Sequence, residues 1–303
     1  MKVFPKFVKI VEVGPRDGLQ NESKIVSAKN KIIFIEKLAS SGLKEIEVTS
    51  FVHPKIIPQL ADAKEVISGL KAHKGVIYSA LVPNMKGLER AINAGLKRIA
   101  VFGAVSETFT KKNINMTVKE SLDVFKPVVQ AALENGISVR GYVSTCFVCP
   151  YEGEIKKEKV LNVTEALLDM GVDEISLGDT IGAASPKDVF STVGYIIKTI
   201  PKKNIALHFH DTYGTALANV VSGLELGITT FDSSCGGLGG CPFAPGASGN
   251  LATEDLVYLL ERMGIESNVK LKKLAKASIF MEKVLGRTLP SKQLQRIQCK
   301  NNS

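Results

Sequence analysis

One small unit recurs along the chain: an amphipathic helical stretch, a glycine, then an apolar strand. It reads Ser41-Gly42-Leu43 into IEV, Lys74-Gly75-Val76 into IYSALV, Ala94-Gly95-Leu96 into IAVFG, Asn135-Gly136-Ile137 into VRGYV, Met170-Gly171-Val172 into ISLGD, and Leu226-Gly227-Ile228 into FDSS. The glycine supplies the left-handed cap that ends a helix, and the β-branched run behind it starts a strand. A further unit lies before the last copy, with 186–199 as helix and 205–209 as strand, and the opening strand 8–13 brings the strands to eight. Strands alternating with helices pair in parallel through right-handed crossovers, and eight such units predict one closed (β/α)8 TIM barrel, of class α/β. The competing fold, an open doubly wound sheet, calls for GxGxxG opening the first helix, where Gly14, Gly18 and Asn21 stand instead.

A length of 303 residues suits such a barrel, which takes about 250, with residues to spare for an extension. Residues 253–263 read as the closing helix and 268–300 as more helix, with no linker between them. We therefore expect a single domain over 1–303, with 264–303 a basic helical extension packed on the barrel. With 45% hydrophobic and 23% charged residues the chain can bury a large core, and no apolar run approaches the roughly 18 residues of a membrane span. Five cysteines give no disulfide framework, and no basic-then-apolar leader precedes the first strand, so reducing cytoplasm is the expected compartment.

The net charge of +9 is concentrated in the tail. From Gly264 onward nine basic residues face only Glu266 and Glu282. Such a segment suits a solvated face, an anionic membrane, nucleic acid or a polyphosphorylated small molecule. Phe280 is its one aromatic, so it lacks the stacking platforms of single-strand binders, and we expect neither a nucleic-acid nor a membrane partner.

Barrel enzymes carry their chemistry at the C-terminal ends of strands. Unusual polar residues gather there: Arg16 and Asp17 after strand one, Glu47 and Thr49 ending strand two, Asp179 and Thr180 after strand six, His208 and His210 ending strand seven. Residues two apart on a strand share a face, so His208 and His210 can offer two imidazoles to one ion. Asp17 supplies a carboxylate, and the Asn250 amide tilts the site toward Mg²⁺ or Mn²⁺ over Zn²⁺. The segment 235–250, CGGLGGCPFAPGASGN, frames Cys241 with glycines and reads as a loop whose backbone approaches a ligand, its thiol a candidate acid, base or nucleophile. Asp179, in the turn 178–182, serves either the site or the capping of the next helix. Cys146 and Cys149 lack a second pair and face opposite sides of an extended strand, which argues against zinc, while His53 and His73 read as surface residues.

The segments 13–22 (VGPRDGLQNE), 47–51 (EVTSF), 176–182 (SLGDTIG), 208–211 (HFHD) and 236–244 (GGLGGCPFA) together resemble the hydroxymethylglutaryl-CoA lyase family, from about residue 8 to the end of the last barrel helix. RDG and HxH are shared by a wider group of metal-dependent lyases and Claisen synthases on TIM barrels; RDGLQNE and the cysteine of the glycine loop are more specific to the lyases. The resemblance implies a divalent metal on Asp17, His208, His210 and Asn250. It implies catalytic roles for Arg16 at the enolate oxygen, Asp17, Glu47 and His210 in the site, and Cys241 as acid or base, with Arg16, Gln20, Asp179 and Thr180 contacting substrate. The activity implied is cleavage of 3-hydroxy-3-methylglutaryl-CoA, an acyl-CoA, to acetyl-CoA and acetoacetate, in leucine degradation and ketone body formation, by a homodimer. Gly286 precedes Arg287 where animal members carry an asparagine, a departure from the pattern.

Two rival readings stand beside this one. A Claisen condensation synthase acting on a 2-oxo acid with acetyl-CoA would share the barrel and the metal set, but such enzymes usually carry a further C-terminal domain. A non-enzymatic nucleic-acid-binding protein acting through the basic tail would show binding that falls steeply with salt.

Overall fold

In the computed structural model, which describes residues 4–240 and 249–301, eight parallel strands close into the expected barrel. They are β1 (Lys9–Glu12), β2 (Glu45–Ser50), β3 (Ile77–Leu81), β4 (Arg98–Ala104), β5 (Ser138–Ser144), β6 (Glu174–Asp179), β7 (Ile205–Phe209) and β8 (Thr230–Ser233). Each pairs with its successor, and β8 closes on β1 in the register Lys9↔Thr230 through Glu12↔Ser233. All six glycines of the repeated unit adopt positive φ, from 67° at Gly136 to 109° at Gly42, as a left-handed cap requires.

Helices cover the outside and bury one face each. Ser27 caps α1 (Ala28–Ser40), whose Phe34, Ile35 and Leu38 are fully buried, and Thr117 with Glu120 forms a reciprocal capping box at the start of α2 (Val118–Glu134). The apolar core lies in this layer between strands and helices. The bore of the barrel is different. Lys9 pairs with Glu45 (3.3 Å) and Glu174 (2.6 Å), Arg98 with Glu45 (2.8 Å), and Arg140 with Glu174 (2.8 Å) and Asp232 (2.6 Å). A column of ion pairs thus replaces the aliphatic layers usual inside such barrels.

The expected closing helix spans Thr253–Arg262, but the extension is two helices, Leu271–Leu285 and Lys292–Asn301, where the sequence reading had one continuous stretch. Gly286 takes φ 76° as a left-handed cap, and Pro290 follows, so the helix cannot run on. That conformation accounts for glycine at the position. Lys270 donates its backbone N–H to Ser41 O at the end of α1, which puts Lys270, Lys272 and Lys273 at the far end of the barrel from the strand C-termini. Arg287 lies at the near end, paired with Glu22. No helix among the described residues is long and apolar enough to cross a membrane.

Candidate active site

Arg16 and Asp17 emerge from a π-helical turn, Gly14–Gly18, in which Gly18 N–H reaches back to Val13 O at 3.1 Å. Such turns are rare, and here the wide turn sets two consecutive charged side chains at the mouth. Glu12 anchors it: Oε1 accepts from Gly14 N and Cys235 N, both at 2.8 Å, and Oε2 from Thr253 Oγ1 at 2.7 Å. The turn that carries Arg16 and Asp17 and the stem of the glycine loop therefore hang on one buried carboxyl group. Glu47 sits where a register shift interrupts the pairing of β2 with β3, an irregularity that re-aims side chains beside a site.

Arg16 is buried and donates from Nε to Glu47 Oε2 (2.5 Å) and from Nη1 to Asp17 Oδ1 (2.6 Å). Burial opposes its charge, yet Glu47, Asp17 and Tyr142 outweigh burial and hold the guanidinium above its ordinary value. Burial pushes Glu47 up against the pull of Arg16. For Asp17 burial also pushes upward, but Arg16, His208 and His210 prevail and leave it at about 2, an ionised carboxylate. His210 is brought down to about 4 by burial and then by His208, so it is neutral near pH 7, the form that binds metals.

The donor atoms of Asp17, His208 and His210 lie within 4.8 Å of one another. Asn250 joins them because residues 249–251 run antiparallel to the end of β7, with Asp211 N on Gly249 O and Leu251 N on Phe209 O, both at 3.0 Å. Its Nδ2 donates to Asp17 Oδ2 (2.8 Å), while its Oδ1 is buried without a partner among the described residues. His210 Nδ1, Gln20 Oε1, Glu47 Oε1 and Thr49 Oγ1 are likewise buried and unpartnered there. Orphaned buried acceptors are costly, and their gathering at the strand ends fits a divalent ion and a polar substrate.

Other sequence expectations land differently. Asp179 is fully buried, and its two oxygens accept from Ala183 N (3.1 Å) and Ala184 N (3.0 Å), loop residues ahead of the helix Pro186–Ile196, whose capping box is Ser185 with Asp188, so these bonds brace the turn and do not cap that helix. Burial, against those same bonds, raises it to about 7. Thr180 Oγ1 accepts from Thr145 N (2.8 Å) and braces the neighbouring loop. Cys146 and Cys149 turn to separate partners, Val143 O and Ser106 Oγ. His53 is exposed, and His73 is bonded to Glu36 at 3.0 Å. Cys241 lies outside the described residues. The sequence reading missed Arg140, Tyr142 and Asp232, all buried, with the Tyr142 hydroxyl 3.2 Å from Glu47 Oε2. Their signal was present as alternating polar residues within VRGYV and FDSS.

A family model described as HMGL-like matches residues 7–281. A mitochondrial hydroxymethylglutaryl-CoA lyase of Bos taurus is 53% identical over 96% of this chain and 90% of its own length. The crystal structure of the Bacillus subtilis HMG-CoA lyase superposes with a TM-score of 0.96 at 52% identity, covering 97% of this chain and 99% of that one. An HMG-CoA lyase from Acinetobacter baumannii, in complex with coenzyme A and 3-methylmalate, superposes with a TM-score of 0.92 at 40% identity, over 97% of this chain and 96% of that one.

Proposed function

The chain belongs to the HMGL-like family, and from that premise we propose how its barrel mouth works. It is a carbon–carbon lyase that cleaves 3-hydroxy-3-methylglutaryl-CoA to acetyl-CoA and acetoacetate. The observation that carries the account is the cluster of Asp17, His208 and His210 beside the ion-paired Arg16.

The reaction removes the proton of the tertiary hydroxyl and breaks C2–C3. C3 becomes the ketone of acetoacetate, and the electron pair passes into the thioester enolate, which takes up a proton to give acetyl-CoA. When bound, a divalent ion, Mg²⁺ or Mn²⁺ in this reading, would supply the Lewis acidity that lowers the pKa of that hydroxyl. Asp17, His208, His210 and the orphaned Asn250 Oδ1 are the groups that would hold it. Arg16, pinned by Glu47 and Asp17, keeps Nη2 out of both bonds and offers it to the thioester oxygen, where a preoriented cation is worth about 3 kcal/mol. Glu47 orients Arg16, Gln20 Oε1 is a buried acceptor for substrate, and Asp179 with Thr180 shape the rim. Cys241 delivers the proton to carbon.

The Claisen synthase reading is disfavoured by identity to lyases over nearly the whole chain. We further read residues 1–303 as one domain with 264–303 packed on the barrel, supported by the burial of Leu274, Ala277 and Met281. A cytoplasmic homodimer completes the reading, with Arg287 near the mouth as a candidate for CoA phosphates. Incubation with hydroxymethylglutaryl-CoA and Mg²⁺ should give acetoacetate, and a chelator should stop it. Turnover that survives chelation, or product formed only from a 2-oxo acid and acetyl-CoA, would refute the account.

A further inference from the structure

The ion pairs that fill the bore do not end below the site: the uppermost touches a residue of the metal set. Asp232 on β8 stands in register opposite His208 on β7, and its Oδ2 lies 3.2 Å from His208 Nδ1. Asp232 is buried and outside the group whose donor atoms converge for an ion. Its own position is tightly determined. Arg140 grips both oxygens, Nη2 to Oδ1 at 2.6 Å and Nη1 to Oδ2 at 3.2 Å, and Ser176 Oγ donates to Oδ2 at 2.7 Å. A bidentate grip of this kind leaves a carboxylate little rotational freedom.

An imidazole on a strand end can present either nitrogen to an ion by turning about its ring axis, and each orientation demands a different tautomer. A fixed acceptor on one nitrogen removes that choice. We propose that Asp232 is a positioning residue of the metal centre: by accepting from Nδ1–H of His208 it holds the ring so that Nε2 is the nitrogen turned to a divalent ion, with Arg140 and Ser176 holding Asp232. The inference rests on His208 being a metal ligand. A purely structural ion pair between Arg140 and Asp232 would affect thermal stability while leaving tautomer and metal affinity alone.

The test uses Mn²⁺ alone as probe. Calorimetric titration of wild type and Asp232→Asn should show Mn²⁺ bound about 10 to 100-fold more weakly by the variant. Electron paramagnetic resonance of bound Mn²⁺ should show an altered coordination signature, with the far-ultraviolet circular dichroism unchanged. In the metal-free wild type, ¹⁵N spectra of the histidine rings, assigned by loss of signal in His208→Gln, should show His208 protonated at Nδ1. That measurement stands even if Asp232→Asn does not fold. Protonation at Nε2 in the wild type, or equal Mn²⁺ affinity in a folded variant, overturns the proposal. Wild type that binds no Mn²⁺ at all overturns the metal reading itself, an outcome distinct from tight binding by both proteins.

Discussion

Arg16→Lys retains the positive charge and removes the fork, and the bonds made by the fork set the size of the loss. Nε is committed to Glu47 at 2.5 Å and Nη1 to Asp17 at 2.6 Å. A lysine ammonium is one point with three donors and cannot span two carboxylates while also meeting a substrate oxygen. If it stays with Glu47, whose side chain is 1% exposed, the developing enolate oxygen loses its cation. Removing one preoriented donor of that kind costs about 3 to 4 kcal/mol, which at about 1.36 kcal/mol per decade is a 10² to 10³-fold fall in turnover. Because the interaction strengthens as charge develops, kcat and kcat/KM should fall together with KM nearly constant. The assay is steady-state acetoacetate formation across a range of hydroxymethylglutaryl-CoA at saturating Mg²⁺, with thermal melts run in parallel to exclude unfolding. A variant with wild-type kcat and raised KM would mean that Arg16 binds the acyl chain and nothing more.

Three further outcomes are expected. His210→Ala should weaken Mn²⁺ binding by more than about tenfold, since loss of a merely supporting hydrogen bond already costs about 10 to 100-fold; unchanged affinity by calorimetry removes His210 from the ligand set. Cys241→Ala should lower kcat by about 10² to 10⁴ while leaving Mn²⁺ affinity and melting temperature intact, and turnover close to wild type would move the proton donor elsewhere. Glu12 is raised by burial, against its bonds from Cys235, Thr253 and Gly14, from 4.5 to about 8. Its contribution to stability is thus complete below about 4.5 and is lost as pH rises through about 8. Glu12→Gln should flatten the melting temperature across that window, and a slope equal to wild type would show that other groups set it.

The barrel was readable because its unit repeats and because each unit closes on a glycine that the backbone needs in the left-handed region. The cluster of Asp17, His208 and His210 was readable in part because two histidines two apart on a strand must share a face. What escaped was the polar bore. Arg98, Arg140 and Asp232 are charges on strands otherwise rich in aliphatic residues, and a single strand does not reveal that the partner charge sits on another strand far along the chain. The π-helical turn escaped for a related reason, since GPRDG is equally compatible with an ordinary loop. Asp179 was ambiguous because a carboxyl group in a strand-end turn can serve either a site or the backbone, and its bonds go to loop backbone only four and five residues on.

The charged bore also bears on how this barrel responds to heat. Exposing apolar surface on unfolding raises the heat capacity by about 0.45 cal/K/mol per Å², while exposing polar surface lowers it by about 0.26. Opening a bore lined by Lys9, Glu45, Arg98, Arg140, Glu174 and Asp232 subtracts from a sum that an aliphatic bore would enlarge. The dome of stability against temperature is correspondingly flatter than in a barrel of equal length with aliphatic layers inside. The hydration penalty for burying such pairs also shrinks on warming, so the interior beneath Asp17, His208 and His210 weakens least at the temperatures where the surrounding apolar shell begins to fail.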